Sequence, residues 1–147
     1  VGSQRDTLLT TLVTRVNGID GVTGQLRNSK QTVTDAVVAI VYPESEDKQL
    51  ANSNTYDATF RCVVLVIVRE EDADAVTDDS NPYRYLDRMV MEVERAVHTP
   101  DTWGVDPDYT DVLVTGHEVE DPTDDNEFVA RVFIEFRYRH DYQDPSQ

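Results

Sequence analysis

The sequence predicts an α+β domain in which a mostly antiparallel four-stranded sheet carries two helices on one face, in the order α-β-β-α-β-β. Three observations lead there. The closing run "RVFIEFRYRH", residues 131–140, alternates apolar and charged side chains with the period of a half-buried strand. Two other stretches, in the first twenty residues and after residue 81, repeat apolar residues at helical spacing instead. Between them lie the apolar runs "AVVAIVY" and "CVVLVIV", parted by a polar segment.

The first element is a helix from about Gln4 to Asn17. Ser3 with Asp6 resembles a capping box, Leu8, Leu9, Leu12, Val13 and Val16 form a stripe, and Gly18 supplies the stop. A polar, glycine-containing connection, residues 18–31, leads to the strand "TVTDAVVAIVY". Its residues Ala36 to Val41 are apolar on both faces, which places it centrally in the sheet. The segment "PESEDKQLANSN", residues 43–54, reads as a long loop before the strand "TYDATFRCVVLVIVRE", so the two strands form a hairpin with an extended tip. After the acidic loop "EEDADAVTDD" comes a helix capped by Ser80 or Asn81, with Pro82 in its first turn. Its stripe is Leu86, Met89, Val90, Val93 and Val97, and Pro100 ends it. A strand "TDVLVTGHEVE", a polar turn "DPTDDN" and the closing strand complete a single domain over residues 1–147.

A chain of this length buries one core without covalent staples. Its one cysteine, Cys62, rules out an internal disulfide and lies in an apolar run, where a thiol behaves as a small hydrophobe. The longest apolar runs fall far short of the roughly 20 residues of a membrane helix. The start "VGSQRD" shows no basic region followed by an apolar segment, so a soluble protein without a secretory signal is expected. Acidic residues outnumber basic ones 29 to 13, giving a net charge of −16, with 19 Asp to 10 Glu and 11 Arg to 2 Lys. Heavy charge keeps a protein soluble in molar salt, which screens the self-repulsion, so this Asp-rich, Lys-poor texture points to a halophilic source. The same field repels phosphate and argues against sequence-specific nucleic-acid binding.

Candidate chemistry is sparse. His98, His117 and His140 share no ligand spacing, and His98 suits the negative end of its helix. Asp106, Asp108 and Asp111, or Asp121, Asp124 and Asp125, offer oxygens for a hard cation, but neither set matches an EF-hand loop, and both read as solvated turns. No Gly-rich phosphate loop, nucleophile elbow or H-E-x-x-H helix occurs. Catalytic residues, cofactor and metal are therefore all expected to be absent. The closing strand is more informative. One side carries Phe128, Ala130, Val132, Ile134, Phe136 and Tyr138; the other carries Arg131, Phe133, Glu135, Arg137 and Arg139, with Asp57 and Arg61 expected on a neighbouring strand. The arginines suit a phosphate or carboxylate. A mixed-sign surface fits another protein surface better, so Arg61, Arg131, Glu135, Arg137 and Arg139 are read as a subunit interface. Trp103, in "TWGVDP", reads as a packing anchor beside a helix end.

The stretches "RCVVLVIVREE", "YLDRMVMEVERAVHT", "TWGVDPDYTDVLVTGHEVED" and "EFVARVFIEFRYRHDY" together resemble the small tail terminator and tail completion proteins of long-tailed viruses. The features that carry the resemblance are Leu86, Val90 and Val93 in an amphipathic helix, Val112, Val114 and Gly116 in a V-x-V-x-G-like strand, and Tyr138, Arg139 and His140 at the end. It covers about residues 55–142. The acidic loops at 43–54 and 70–81 depart from the family pattern. The resemblance implies a homo-oligomeric ring of about six copies that caps the tail tube, stops its elongation and meets the head-side connector. DNA would pass through the lumen without specific binding. The implied location is the neck of a virion assembled in the host cytoplasm, and the composition adds a tailed virus of a salt-loving archaeon. Within the virion the alternative is another neck, connector or tail tube component. Outside it stand a halophilic cytoplasmic ligand-binding or enzymatic α+β module and a dimeric regulatory protein.

Overall fold

The computed structural model describes residues 3–27, 37–69, 82–99, 103, 111–121 and 127–141. They form helix α1 (Gln4–Asn17), strands β1 (Val22–Leu26), β2 (Val37–Leu50) and β3 (Thr55–Arg69), helix α2 (Pro82–His98), and strands β4 (Asp111–Val119) and β5 (Glu127–Asp141). One sheet has the order β1-β2-β3-β5-β4. The pairings β2–β3, β3–β5 and β5–β4 are antiparallel, and β1 runs parallel to β2. The α+β class and the two helices agree with expectation, whereas the sheet has five strands rather than four.

The additional strand lies in what reads as a connection. β1 has only Val22 and Leu26 as large apolar residues, too few to show a period. Contact with α1 holds it in place. The Gly24 amide donates to Asn17 Oδ1 at 3.0 Å, and a Cβ at Gly24 would sit 2.8 Å from the Asn17 backbone nitrogen and 3.1 Å from the Val13 carbonyl. Gly21, at φ 77°, makes the turn into this strand, while Gly18 ends α1 in a right-handed conformation.

The second correction concerns residues 43–54, expected as a loop. β2 continues to Leu50, paired as far as Leu50 with Tyr56, and only residues 51–54 make the tip. Asn52 Oδ1 closes it, accepting from the amides of Asn54 at 2.8 Å and Thr55 at 3.1 Å. A register shift between Pro43 and Ser45 makes Glu44 the extra residue of a bulge, one of the few places a sheet admits proline. From Pro43 onward most of β2 is solvent-exposed, so polar residues occupy both faces and the apolar alternation that marks a strand is missing. Ser80, Asn81, Pro100, the turn at 122–126 and the first residues expected in β2 lie outside the described residues.

Both helices pack on the sheet side bearing Val132, Ile134 and Phe136, and a single buried cluster joins Leu8, Leu12 and Val16 of α1 to Leu86, Val90 and Val93 of α2 through that side. The α2 stripe also includes Tyr85, fully buried. Ser3 caps α1 by accepting from the Asp6 amide at 3.2 Å. Arg15 ties the helices together: its Nη1 donates to the carbonyls of Ala96 (3.0 Å) and Thr99 (2.9 Å) at the end of α2. The same guanidinium lies 4.0 Å over the Trp103 ring, which meets Phe136 edge-on at 5.0 Å. A cation at a helix C-terminus and over an aromatic face is stabilised by both. Trp103 is thus a buried packing anchor.

At the hairpin end of the core, Tyr138 donates to Glu46 Oε2 at 2.5 Å, and Arg5 and Lys48 flank the same carboxylate at 3.5 and 3.4 Å. Burial and then the bond to Glu46 raise the Tyr138 phenol above its ordinary range.

Two outcomes follow from these contacts. Gly24→Ala drives a methyl into the α1 backbone and should destabilise the fold by about 1–3 kcal/mol in chemical denaturation. Tyr138→Phe should cost about 1–3 kcal/mol by leaving the nearly buried Glu46 carboxylate without its donor. Because the folded phenol titrates above its unfolded value, its contribution is complete below about pH 10 and lost as pH rises beyond it, so the variant should show a shallower alkaline decline.

Candidate interaction face

Side chains that alternate away from the core make up the outer face of the sheet. The cross-strand register sets Arg61 opposite Glu135, Thr59 opposite Arg137, Asp57 opposite Arg139 and Leu65 opposite Arg131. All five residues expected to form an interface therefore share this face. Asp57 and Arg61 do lie on the adjacent strand.

Each of the four arginines has a carboxylate of its own chain. Arg61 Nη1 lies 2.5 Å from Asp47 Oδ2, and its Nε lies 3.5 Å from Glu135 Oε1. Arg137 holds the other Glu135 oxygen through Nε at 3.1 Å and Nη2 at 2.9 Å. Arg139 Nε meets Asp57 Oδ1 at 2.8 Å, and Arg131 pairs with Glu120. The Asp47 hydrogen bond, reinforced by the charges of Asp47, Glu135 and Glu44, raises the pKa of Arg61. Four guanidiniums thus face the four carboxylates Asp47, Asp57, Glu120 and Glu135, and the set is neutral within a chain of net charge −16. Exposed pairs of this kind add roughly 0–1 kcal/mol each to stability, so their main consequence is the cancelled field.

Toward the other end the face becomes apolar. Val63 is 1% exposed and Val129 7%, although neither belongs to the helix-side core. Leu65, Ile67 and Phe133 around them are half-buried, and Leu113 of β4 is 39% exposed. The apolar part was hard to find in the sequence because "CVVLVIV" has no alternation to separate its two sides. Asp47 and Glu120 were missed because the first lay in a presumed loop and the second at a strand end.

The remaining candidates are scattered. His98 and His117 are exposed, while His140 is buried with Nδ1 2.7 Å from the Asp141 carbonyl. Asp111 and Asp121 are exposed, and Asp106, Asp108, Asp124 and Asp125 lie outside the described residues. Among the described residues no group of three or more His, Cys, Asp or Glu is placed to hold a metal ion. No helix among them is long and apolar enough to cross a membrane. Burial, with a smaller effect of Glu44, pushes the Cys62 thiol up to about 12. No protein-family model matches the sequence, and no curated protein matches it significantly.

The thiol makes a direct check on the buried helix side. An alkylating reagent at pH 8 should label Cys62 in denatured protein and leave the native protein unmodified over the same time; rapid native labelling would place Cys62 near solvent.

Proposed function

We propose that the chain is a structural virion protein that closes into a ring on a viral tail tube, ends the tube's elongation and joins it to the head-side connector. DNA passes through the ring without specific contacts, and the protein works in a halophilic setting. The observation that carries the assembly part is the charge-paired set of Arg61, Arg131, Arg137 and Arg139 on the outer face. Copies of a chain bearing −16 repel one another over most of their surface, and this face, with its paired charges and adjoining apolar strip, offers contact without that penalty. Support for the tail role comes from the resemblance over residues 55–142, a stretch that contains β3, the amphipathic helix α2 and the strand pair β4–β5. The role is one of binding and shape, not of catalysis.

Light scattering in multimolar KCl with Mg²⁺, followed by negative-stain imaging, tests it. Closed rings of about six subunits are expected. Long tubes would instead indicate a tube component, and protein that stays monomeric or dimeric even with tube protein present contradicts the reading. Arg137→Glu combined with Arg139→Glu leaves Glu135 and Asp57 beside new negative charge, and should abolish rings while circular dichroism of the monomer stays unchanged. Intact rings in that double variant would remove the outer face from the assembly.

A further inference from the structure

The helix layer has an exposed surface of opposite character to the rest of the chain. Tyr83, Arg84, Asp87, Arg88, Met91, Glu92 and Arg95 of α2 line an open concavity of about 660 Å³. Tyr83 is 46% exposed and Met91 53%, two large apolar side chains on the solvent side of the helix. Arg95 is paired with Glu92 at 2.7 Å, but Arg84 and Arg88 make no ion pair among the described residues. Among the described lining residues three arginines stand against two carboxylates, one positive charge in excess. In a chain with 29 acidic and 13 basic residues, two guanidiniums without a carboxylate partner among the described residues stand out. Exposed tyrosine, arginine and methionine side by side are the composition of an interface centre.

A matching surface exists on the far side of the same molecule. On β4 the register places Asp111 opposite Arg137, Leu113 opposite Glu135 and Glu118 opposite Arg131, so all three belong to the outer sheet face. Asp111 and Glu118 are exposed and make no ion pair among the described residues, and the exposed Leu113 lies between them in the strand. One side of the sandwich thus offers Arg84 and Arg88, without an ion pair among the described residues, with exposed Tyr83 and Met91. The other offers two unpaired carboxylates with exposed Leu113. With the sheet between them, the two surfaces cannot meet within one chain.

We propose that the α2 surface of one copy docks on the β4 margin of the next copy's outer face, Arg84 and Arg88 meeting Asp111 and Glu118 while Tyr83 and Met91 cover Leu113. This deepens the ring reading and rests on it. A contact between two different patches of one chain is head-to-tail, and such contacts close into rings when the rotation between copies allows. It also gives the outer face a defined occupant, the helix layer of a neighbour.

The test uses two charge-reversed full-length chains, Arg84→Glu with Arg88→Glu, and Asp111→Arg with Glu118→Arg, at the lowest KCl concentration that keeps each folded by circular dichroism. Light scattering should find each variant monomeric where the wild type is assembled. An equimolar mixture should recover the wild-type mass, because every reversed α2 then finds a reversed β4 margin on the other variant. Wild-type-like assembly of either variant alone, or a mixture that stays monomeric, overturns this contact and leaves the ring reading standing. Failure of the wild type itself to associate at any concentration, even with tube protein present, overturns both.

Discussion

The β3–β5 pairing is the constraint on which the rest of the molecule depends. It runs without a register shift from Thr55 opposite Asp141 to Arg69 opposite Glu127. Because side chains alternate along both strands, this one register decides which residues enter the core and which line the outer face. A slip of one residue would carry Phe136 and Ile134 to the outside and bring Glu135 and Arg137 under the helices. The burial of the helix-side row therefore enforces the arrangement of the charged row, and the ion pairs Arg61–Glu135 and Arg139–Asp57 follow from cross-strand opposition. Such pairs contribute little to holding the strands together.

That division of labour suits an acidic protein. Stability comes from the apolar side, the Arg15 clamp on α2 and the buried Tyr138–Glu46 bond, none of which depends on the net charge. The charged part of the outer face contributes little to folding, and so its composition is open to other demands. Cancelling charge over one surface while the remainder stays acidic keeps the chain soluble and still allows it to approach its own kind. In the proposed halophilic setting the Debye length falls to about 3 Å at 1 M salt, so contacts between copies must be close and geometrically matched to be felt. Arginine, with its planar set of donors, meets that requirement better than lysine.

Much of the fold was legible in the sequence because the core elements carry strong periods. The stripes of α1 and α2 and the alternation of β5 each specify both an element and its buried side. The two errors have physical causes. β1 is a five-residue strand positioned by the α1 backbone at Gly24, a tertiary contact that leaves almost no local pattern. The distal part of β2 reads as loop because its backbone pairs with β3 while most of its side chains, Glu46 excepted, are polar and face water. For the candidate face, the residues of β5 could be named from alternation alone. Their partners Asp47 and Glu120 depended on a register that only the folded sheet supplies, and the exposed α2 surface was overlooked because attention to a helix stripe favours its buried side.

How the copies associate is decided by what covers the outer face when the protein assembles. A reconstruction of the assembled particle by electron cryomicroscopy, detailed enough to trace the strands, addresses this directly. The expected map has the α2 layer of one copy seated against the β5–β4 side of the next, with Leu113 and Arg137 removed from solvent. A closed particle in which the outer sheet face of every copy is open to solvent would contradict assembly through that face.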